Sequence, residues 1–492
     1  MVMYTENNKS AQVGFGYDSV GRLDSLTRTA NGNYTTINTT FTLDLLDRVT
    51  SITHDKVMGE DASTLSGFTY RYDASGRVTN YTGPEGSLSY ALDANGQLLS
   101  VTGSRADNYS FDANGNRTSN STGTGNLLLN DGKYSYTYDL EGNQKTKTRI
   151  SDGQVTEFFW DHRNQLTKAM VKDANGVLLK ELRFTYDVEG RRVGSWVDAD
   201  GAGPEEPDQV WTVFDGVNPY MDFDGEGELQ TRYLYGPGID ELFARIGTGE
   251  DPQWYLVDRL GSVRQIVDGA GTILDEISYD SFGNVLSETN SEQGDRFKFT
   301  GREYSPELGI YYYRARWYDP SEGRFISQDP IGFSAGDANL YRYLGNAPGD
   351  ATDPEGLEGW WNPFSWGQEE WQAFGGSFSD SYDSTTSGLA YAWSGDQQLL
   401  DEAYRLGPFG QTERNPGLQK WVWVSFGVSA TSVSLAVVCN AINFDPWVGS
   451  GGFHSPHHGL GYHFELIIRG WGGNNFKMIF PGKEKWIWFG FN

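Results

Sequence analysis

Four of the six histidines in this 492-residue chain lie within ten residues: His454, His457, His458 and His463. In His454-Ser455-Pro456-His457-His458 a proline and the nearby Gly451, Gly452, Gly459 and Gly461 predict a loop leading into a strand from Tyr462 to Ile468. Two chemistries suit this pattern. His454, His457 and His458 could ligate zinc or another divalent metal, with Asp445 or Glu465 completing the set, because imidazole and carboxylate both serve such ions. Alternatively, His463 with Glu465 could act as an acid–base pair in a metal-free nuclease, histidine being poised near neutral pH. The spacing matches no His-Glu-x-x-His motif, and loop histidines are also ordinary surface polar residues.

The surroundings of this cluster differ from the rest of the chain. Eleven of the 16 tryptophans fall in residues 358–492, beginning with Trp360-Trp361-Asn362-Pro363-Phe364-Ser365-Trp366, so a domain boundary is expected after Leu357. Trp421 to Ile442 carries no charge over 22 residues, a length that invites a membrane-acting reading. Seven of those residues are Ser, Thr, Gly or Asn, however, and Val422, Val424, Phe426, Val428 and Ala430 alternate as in a buried strand. The strand is the preferred reading. Further strands are expected at Phe464–Ile468, Phe476–Phe480 and Trp486–Phe489, and one short helix at Gln397–Leu406.

The first 190 residues are organised differently, by a repeat. An aromatic residue or leucine, an aspartate, and usually two residues and a glycine recur with aspartates at 18, 44, 73, 93, 112, 139, 161 and 187, spaced 19 to 29 apart. Around Tyr72-Asp73-Ala74-Ser75-Gly76 the flanks Phe68-Thr69-Tyr70-Arg71-Tyr72 and Arg77-Val78-Thr79-Asn80-Tyr81 alternate, which reads as a β-hairpin. Aspartate can accept a hydrogen bond from the backbone N–H two residues on, and glycine supplies positive φ. Asp47 and Asn164 replace the glycine in two repeats, and both types tolerate the left-handed region. A single hairpin cannot bury a core, so neighbouring hairpins must form a continuous sheet. The expected fold is therefore mainly β, and these aspartates are expected to be structural.

Net charge is −28 overall, −23 in residues 1–357 and −5 in 358–492, so neither part has the basic surface of a nucleic-acid binder. The lone Cys439 excludes an internal disulfide framework. Met1 to Ser10 is polar and is no signal peptide. Because the sequence starts almost inside a repeat, the array is expected to be truncated at its amino terminus.

From Trp254 the text becomes denser. It contains Phe299-Thr300-Gly301-Arg302-Glu303-Tyr304, then Gly309-Ile310-Tyr311-Tyr312-Tyr313-Arg314-Ala315-Arg316-Trp317-Tyr318-Asp319-Pro320. Gly323-Arg324-Phe325-Ile326-Ser327-Gln328-Asp329-Pro330-Ile331-Gly332 follows, and Asp353-Pro354-Glu355-Gly356-Leu357 closes the run. This succession resembles the RHS/YD-repeat family with its RHS-associated core, over roughly residues 12–357. The resemblance implies YD-repeat hairpins wound spirally into a shell or partial cocoon (1–253), a core that plugs it (254–357), and a small strand-rich variable domain (358–492). It also implies self-cleavage after Leu357 by an aspartate pair, Asp329 and Asp353, with Arg324 as a charge partner of Asp329. The competing reading makes both Asp-Pro dipeptides simple turn starters.

The function this implies is a secreted or cell-surface polymorphic toxin whose shell encloses its own C-terminal effector. A nuclease is the first expectation for that effector, with no certain cofactor beyond a divalent metal at the histidines. An immunity protein and a target-cell macromolecule would be its partners. The alternatives are a non-enzymatic surface protein that binds carbohydrate through Tyr, Trp and Asp, and a membrane-acting effector.

Overall fold

The computed structural model describes residues 2–6, 9–30 and 35–357. In the C-terminal part it describes the strands Val422–Val428, Val433–Cys439, His463–Arg469, Asn475–Pro481 and Gly490–Phe491. Two compact units are present, Met1–Ala373 and Phe374–Asn492.

The repeat is a three-residue hairpin loop with an extra residue on the strand that leaves it, Asp24 in the first case. In the first one, the Asp18 N–H donates to the Arg22 carbonyl at 2.9 Å and the Gly21 N–H donates to the Asp18 carbonyl at 3.1 Å. Asp18 Oδ1 accepts from the N–H groups of Val20 and Arg22 at 2.9 and 3.0 Å. Gly21 sits at φ 89°, and the strand register slips between Gly16 and Tyr17, the signature of a type I turn followed by a left-handed residue. Asp47 at φ 61° and Asn164 at φ 58° adopt the glycine conformation, as their residue types predict. The same turn recurs at Asp173–Gly176, where Lys172 replaces the aromatic residue, and again at Asp224–Gly227 and Asp268–Gly271.

The residue after the glycine joins one hairpin to the next. Arg22 donates from Nε to Asp18 Oδ2 at 2.7 Å and from Nη1 to the Asp44 carbonyl of the following turn at 3.0 Å. Arg48 reaches the Asp73 carbonyl at 3.3 Å, and Arg77 reaches the Asp93 carbonyl at 3.0 Å. Asn143 and Arg191 make the corresponding step later in the chain, to Asn164 Oδ1 at 2.8 Å and to the Gly216 carbonyl at 3.0 Å. Successive tips are thus held in a row along one edge.

The hairpins build two open antiparallel sheets in strict chain order. One has ten strands, from Val2–Glu6 to Asp107–Asn108, and the other sixteen, from Ser121–Thr122 to Val285–Glu288. A shared core holds them together, with Val13, Ile52, Phe68 and Val101 of the first against Phe243, Trp254, Leu256 and Val267 of the second. The boundary expected between residues 253 and 254 is not a structural one. It falls inside the strand Gln253–Val257, the thirteenth of the sixteen-stranded sheet, whose hydrogen-bonded order runs on through Val263–Val267.

Past Val285–Glu288 a four-stranded sheet begins, at Glu303–Ser305, Ile310–Tyr313, Arg316–Asp319 and Arg324–Phe325. Ile310–Tyr313 is buried at every position. Tyr311 and Tyr313 join an aromatic cluster with Tyr318, Phe325 and Tyr343, whereas Ile310 and Tyr312 face Phe158, Leu166, Leu182 and Phe184 of the large sheet. A strand covered on both faces has no polar side to alternate with, which explains its unbroken apolar run. Ion pairs fasten this plug to the shell, Lys147–Asp319 at 2.6 Å and Arg192–Glu303 at 2.6 Å, and to the segment before it, Arg296–Glu303 at 2.7 Å. Burial alone would raise the Glu303 carboxyl, but Arg192, Arg296 and Arg302 bring it down to about 2.

In the second unit Val422–Val428 pairs antiparallel with Val433–Cys439, so two stretches of the uncharged run are strands. Among the described residues no helix is long and apolar enough to cross a membrane. Strands also occupy His463–Arg469 and Asn475–Pro481, where they were expected. Gln397–Leu406 and Trp486–Phe489 lie outside the described residues.

Two predictions follow from this packing. Gly76 has φ 83° with only the end of Arg48 near its missing Cβ, so Gly76→Ala costs only the left-handed strain, about 1–2 kcal/mol. A Cβ at Gly103 would stand 2.1 Å from the Ser87 carbonyl, so Gly103→Ala should lower the urea midpoint distinctly further than Gly76→Ala. Glu322, which accepts from Asn120 Nδ2 at 2.7 Å, is raised to about 8 by burial and by the neighbouring Asp131 and Asp319. A carboxyl raised on folding stabilises fully below its unfolded value near 4.5 and loses that contribution as pH rises through about 8. Glu322→Gln should therefore flatten the fall in melting temperature between pH 5 and pH 9, and an unchanged slope would contradict this assignment.

Candidate active site

Asp329 and Asp353 each begin an Asp-Pro-x-Gly turn that shares part of the repeat's hydrogen bonding. The Gly332 N–H donates to the Asp329 carbonyl at 2.9 Å, and the Gly356 N–H donates to the Asp353 carbonyl at 3.3 Å. Asp329 Oδ1 accepts from the Ile331 N–H at 3.0 Å, and Asp353 Oδ1 accepts from the Leu357 N–H at 3.0 Å. The reading of these dipeptides as turn starters is therefore right about their backbone.

Their side chains nevertheless converge. Arg316 Nη2 lies 3.0 Å from Asp329 Oδ2 and 3.5 Å from Asp353 Oδ2. All three residues are buried, at 4%, 8% and 2% exposure for Arg316, Asp329 and Asp353. Arg316 also donates from Nε to the Gly356 carbonyl and from Nη1 to the Leu340 carbonyl at 3.2 Å, and its guanidinium stands 3.6 Å above the Phe325 ring. Burial lowers the arginine below its usual value while Asp329 and Asp353 pull the other way. One guanidinium thus holds two carboxylates and the carbonyl next to Leu357.

The terminal segment is fixed by three consecutive residues of the plug. Arg314 donates to the Pro354 carbonyl, the Ala315 N–H donates to the Glu355 carbonyl at 3.1 Å, and Arg316 takes the Gly356 carbonyl. Gly356, at φ 68°, runs so close that a Cβ would stand 2.4 Å from the Tyr313 carbonyl. Glycine is required there by both conformation and space.

Arg324 does not take the expected place. It donates from Nη2 to the Asn126 carbonyl at 2.6 Å and stacks 4.8 Å from the Tyr341 ring, while Arg316 is the charge partner of both aspartates. Arg316 stands in Arg316–Asp319, a strand buried at every position, where a cation needs an anion, and that burial is seen only in the fold. His454, His457 and His458 lie outside the described residues. His463 and Glu465 share the strand His463–Arg469, in register with Pro481 and Ile479. Among the described residues no group of three or more His, Cys, Asp or Glu could hold a metal ion.

Two close carboxylates beside a peptide bond can divide the labour of hydrolysis. One keeps a proton and polarises the carbonyl, and the other accepts a proton from water.

Comparison with known proteins agrees with this architecture. A family model described as Teneurin YD-shell matches residues 1–202 and 229–348. The chain is 28% identical over 310 residues to the tRNA3(Ser)-specific nuclease WapA of Bacillus spizizenii, covering 61% of this chain and 11% of that protein. It is 28% identical over 325 residues to the double-stranded DNA deaminase toxin A of Burkholderia cenocepacia, covering 59% and 22%. The chain thus spans between about a tenth and a fifth of these relatives' lengths. Its fold resembles that in the Photorhabdus luminescens Tc holotoxin pore, with TM-score 0.54 at 18% identity over 72% of this chain and 20% of that one. With ordered hairpins, stitched turns and a matching family model over most of its length, the chain belongs to the teneurin YD-shell family, the shell of the RHS/YD-repeat proteins.

Proposed function

We propose that this chain is the shell and cargo of a polymorphic toxin, in which residues 1–357 carry and then release the effector 358–492. The convergence of Asp329, Asp353 and the Gly356 carbonyl on Arg316 is the observation that supports release by self-cleavage. Water adds to the Leu357 carbonyl carbon as one aspartate takes its proton and the other, protonated, donates to the carbonyl oxygen. The tetrahedral adduct then collapses, the Leu357–Glu358 bond breaks, and the Glu358 nitrogen leaves with a proton returned by the pair. Arg316 positions both carboxylates and fixes the strand of substrate ahead of the scissile bond.

The effector acts on nucleic acid in this reading, which rests on the relatives named as a tRNA nuclease and a DNA deaminase toxin. His463 and Glu465, with or without a metal at His454, His457 and His458, are the residues assigned to it. The intact protein works at or beyond the surface of the producing cell, the shell encloses its own C-terminal domain, and an immunity protein guards the producer.

Mass spectrometry of the purified full-length chain provides the test. The wild type should yield a fragment ending at Leu357 and another beginning at Glu358. Asp329→Asn and Asp353→Asn should each leave the chain intact, and Arg316→Lys should slow cleavage at least about tenfold, given the cost of unpairing buried charge. An intact wild-type chain would refute self-cleavage. Growth arrest with intact RNA and DNA but lost membrane potential would instead favour a membrane-acting effector.

A further inference from the structure

Between the first sheet and the region around residues 258–281 the shell encloses a partly open cavity of about 90 Å³. Its walls are aromatic and aliphatic, with Tyr70, Tyr81, Tyr90, Leu88 and Leu98 prominent among them. Two residues of this lining each carry a buried polar atom without a hydrogen-bond partner, Glu85 Oε2 and Arg259 Nε.

Both groups are held in place by their other atoms. Glu85 Oε1 accepts from Arg264 Nη2 at 2.7 Å and from the Tyr81 hydroxyl at 2.9 Å. Arg259 is 3% exposed, donates from Nη2 to the Gly349 carbonyl and from its backbone N–H to the Tyr70 hydroxyl at 3.2 Å, and lies 5.6 Å from the Tyr70 ring. One fixed acceptor and one fixed donor therefore remain to be satisfied, and a buried polar group left unpaired is costly. The cavity also exceeds by several fold the roughly 10–15 Å³ that a single water needs.

The charge of the lining narrows the class of ligand. Arg105, Arg259 and Arg264 stand with Glu85, Asp258, Asp280 and Asp350 around the space. Three guanidiniums thus face four carboxylates, so the charges of the lining nearly balance. A neutral ligand fits such a site better than an ion. Adjacent hydroxyls supply both missing partners, one donating to Glu85 Oε2 and the other accepting from Arg259 Nε, while C–H faces lie on tyrosine rings. The geometry points to a binding site for the vicinal diol of a small polyol or of a single sugar residue. This site is separate from the aspartate pair and does not depend on self-cleavage.

Saturation-transfer NMR on the full-length chain, with glycerol, methyl α-glucopyranoside and methylammonium as probes, tests the assignment. Glycerol or the glucoside should bind saturably, and whichever binds tighter tells a free polyol from a sugar residue. Arg259→Lys keeps the charge but loses the Nε donor, and should weaken binding about tenfold. Leu92→Trp, at another lining position, should block the cavity with the polar pair intact. Thermal melting checks that each variant is folded. Absence of saturable diol binding to the wild type overturns the proposal, as does tighter binding of methylammonium. Diol binding that both folded variants leave unchanged overturns it too.

Discussion

A three-residue hairpin loop turns backbone N–H groups inward at its tip, and here a single aspartate carboxylate takes up two of them each time. The second oxygen of that carboxylate orients the side chain four residues on, which then reaches the next tip. Where that side chain is Arg22, Arg48 or Arg77, the aspartate closes the hairpin and the arginine joins it to its neighbour. Strand lengths are free to vary, with four residues at Val285–Glu288 and twelve at Asp61–Tyr72, because only the tips must line up. The drifting repeat spacing is a consequence of that freedom.

The plug obeys the same economy with different chemistry. Ile310–Tyr313 is apolar along its whole length because it separates two cores, and the arginines that flank it are buried with their counter-ions. Arg296, Arg302, Arg314 and Arg316 all end on carboxylates of other segments. Fixed charge pairs of this kind are sensitive to loss of one partner, so they set where the plug sits more than how stable it is.

Much of this architecture was legible in residue types. Tyr72-Asp73-Ala74-Ser75-Gly76 announces its turn and its strands, and Asp47 and Asn164 announce the left-handed position that glycine usually holds. The role of Arg22, Arg48 and Arg77 was not legible, because their partners belong to the next hairpin and the gap to it changes every time. Lys172 hid the Asp173 turn for a simpler reason, since the aspartate carries the turn and the residue before it only lines a sheet. At the site, sequence proximity suggested Arg324 for Asp329, whereas the fold brings Arg316 from a neighbouring strand. Pairings made across a sheet leave no mark in local spacing.

The clasp on residues 354–356 is made through the main chain. Arg314, Ala315 and Arg316 all bind main-chain carbonyls, and Glu355 points its side chain into solvent. Apart from Gly356, which no other residue can replace, the clasp recognises the path of the chain and ignores its spelling. A joint of that kind accepts any polypeptide spliced in beyond it. It follows that the shell and what comes after it are free to evolve at unequal rates.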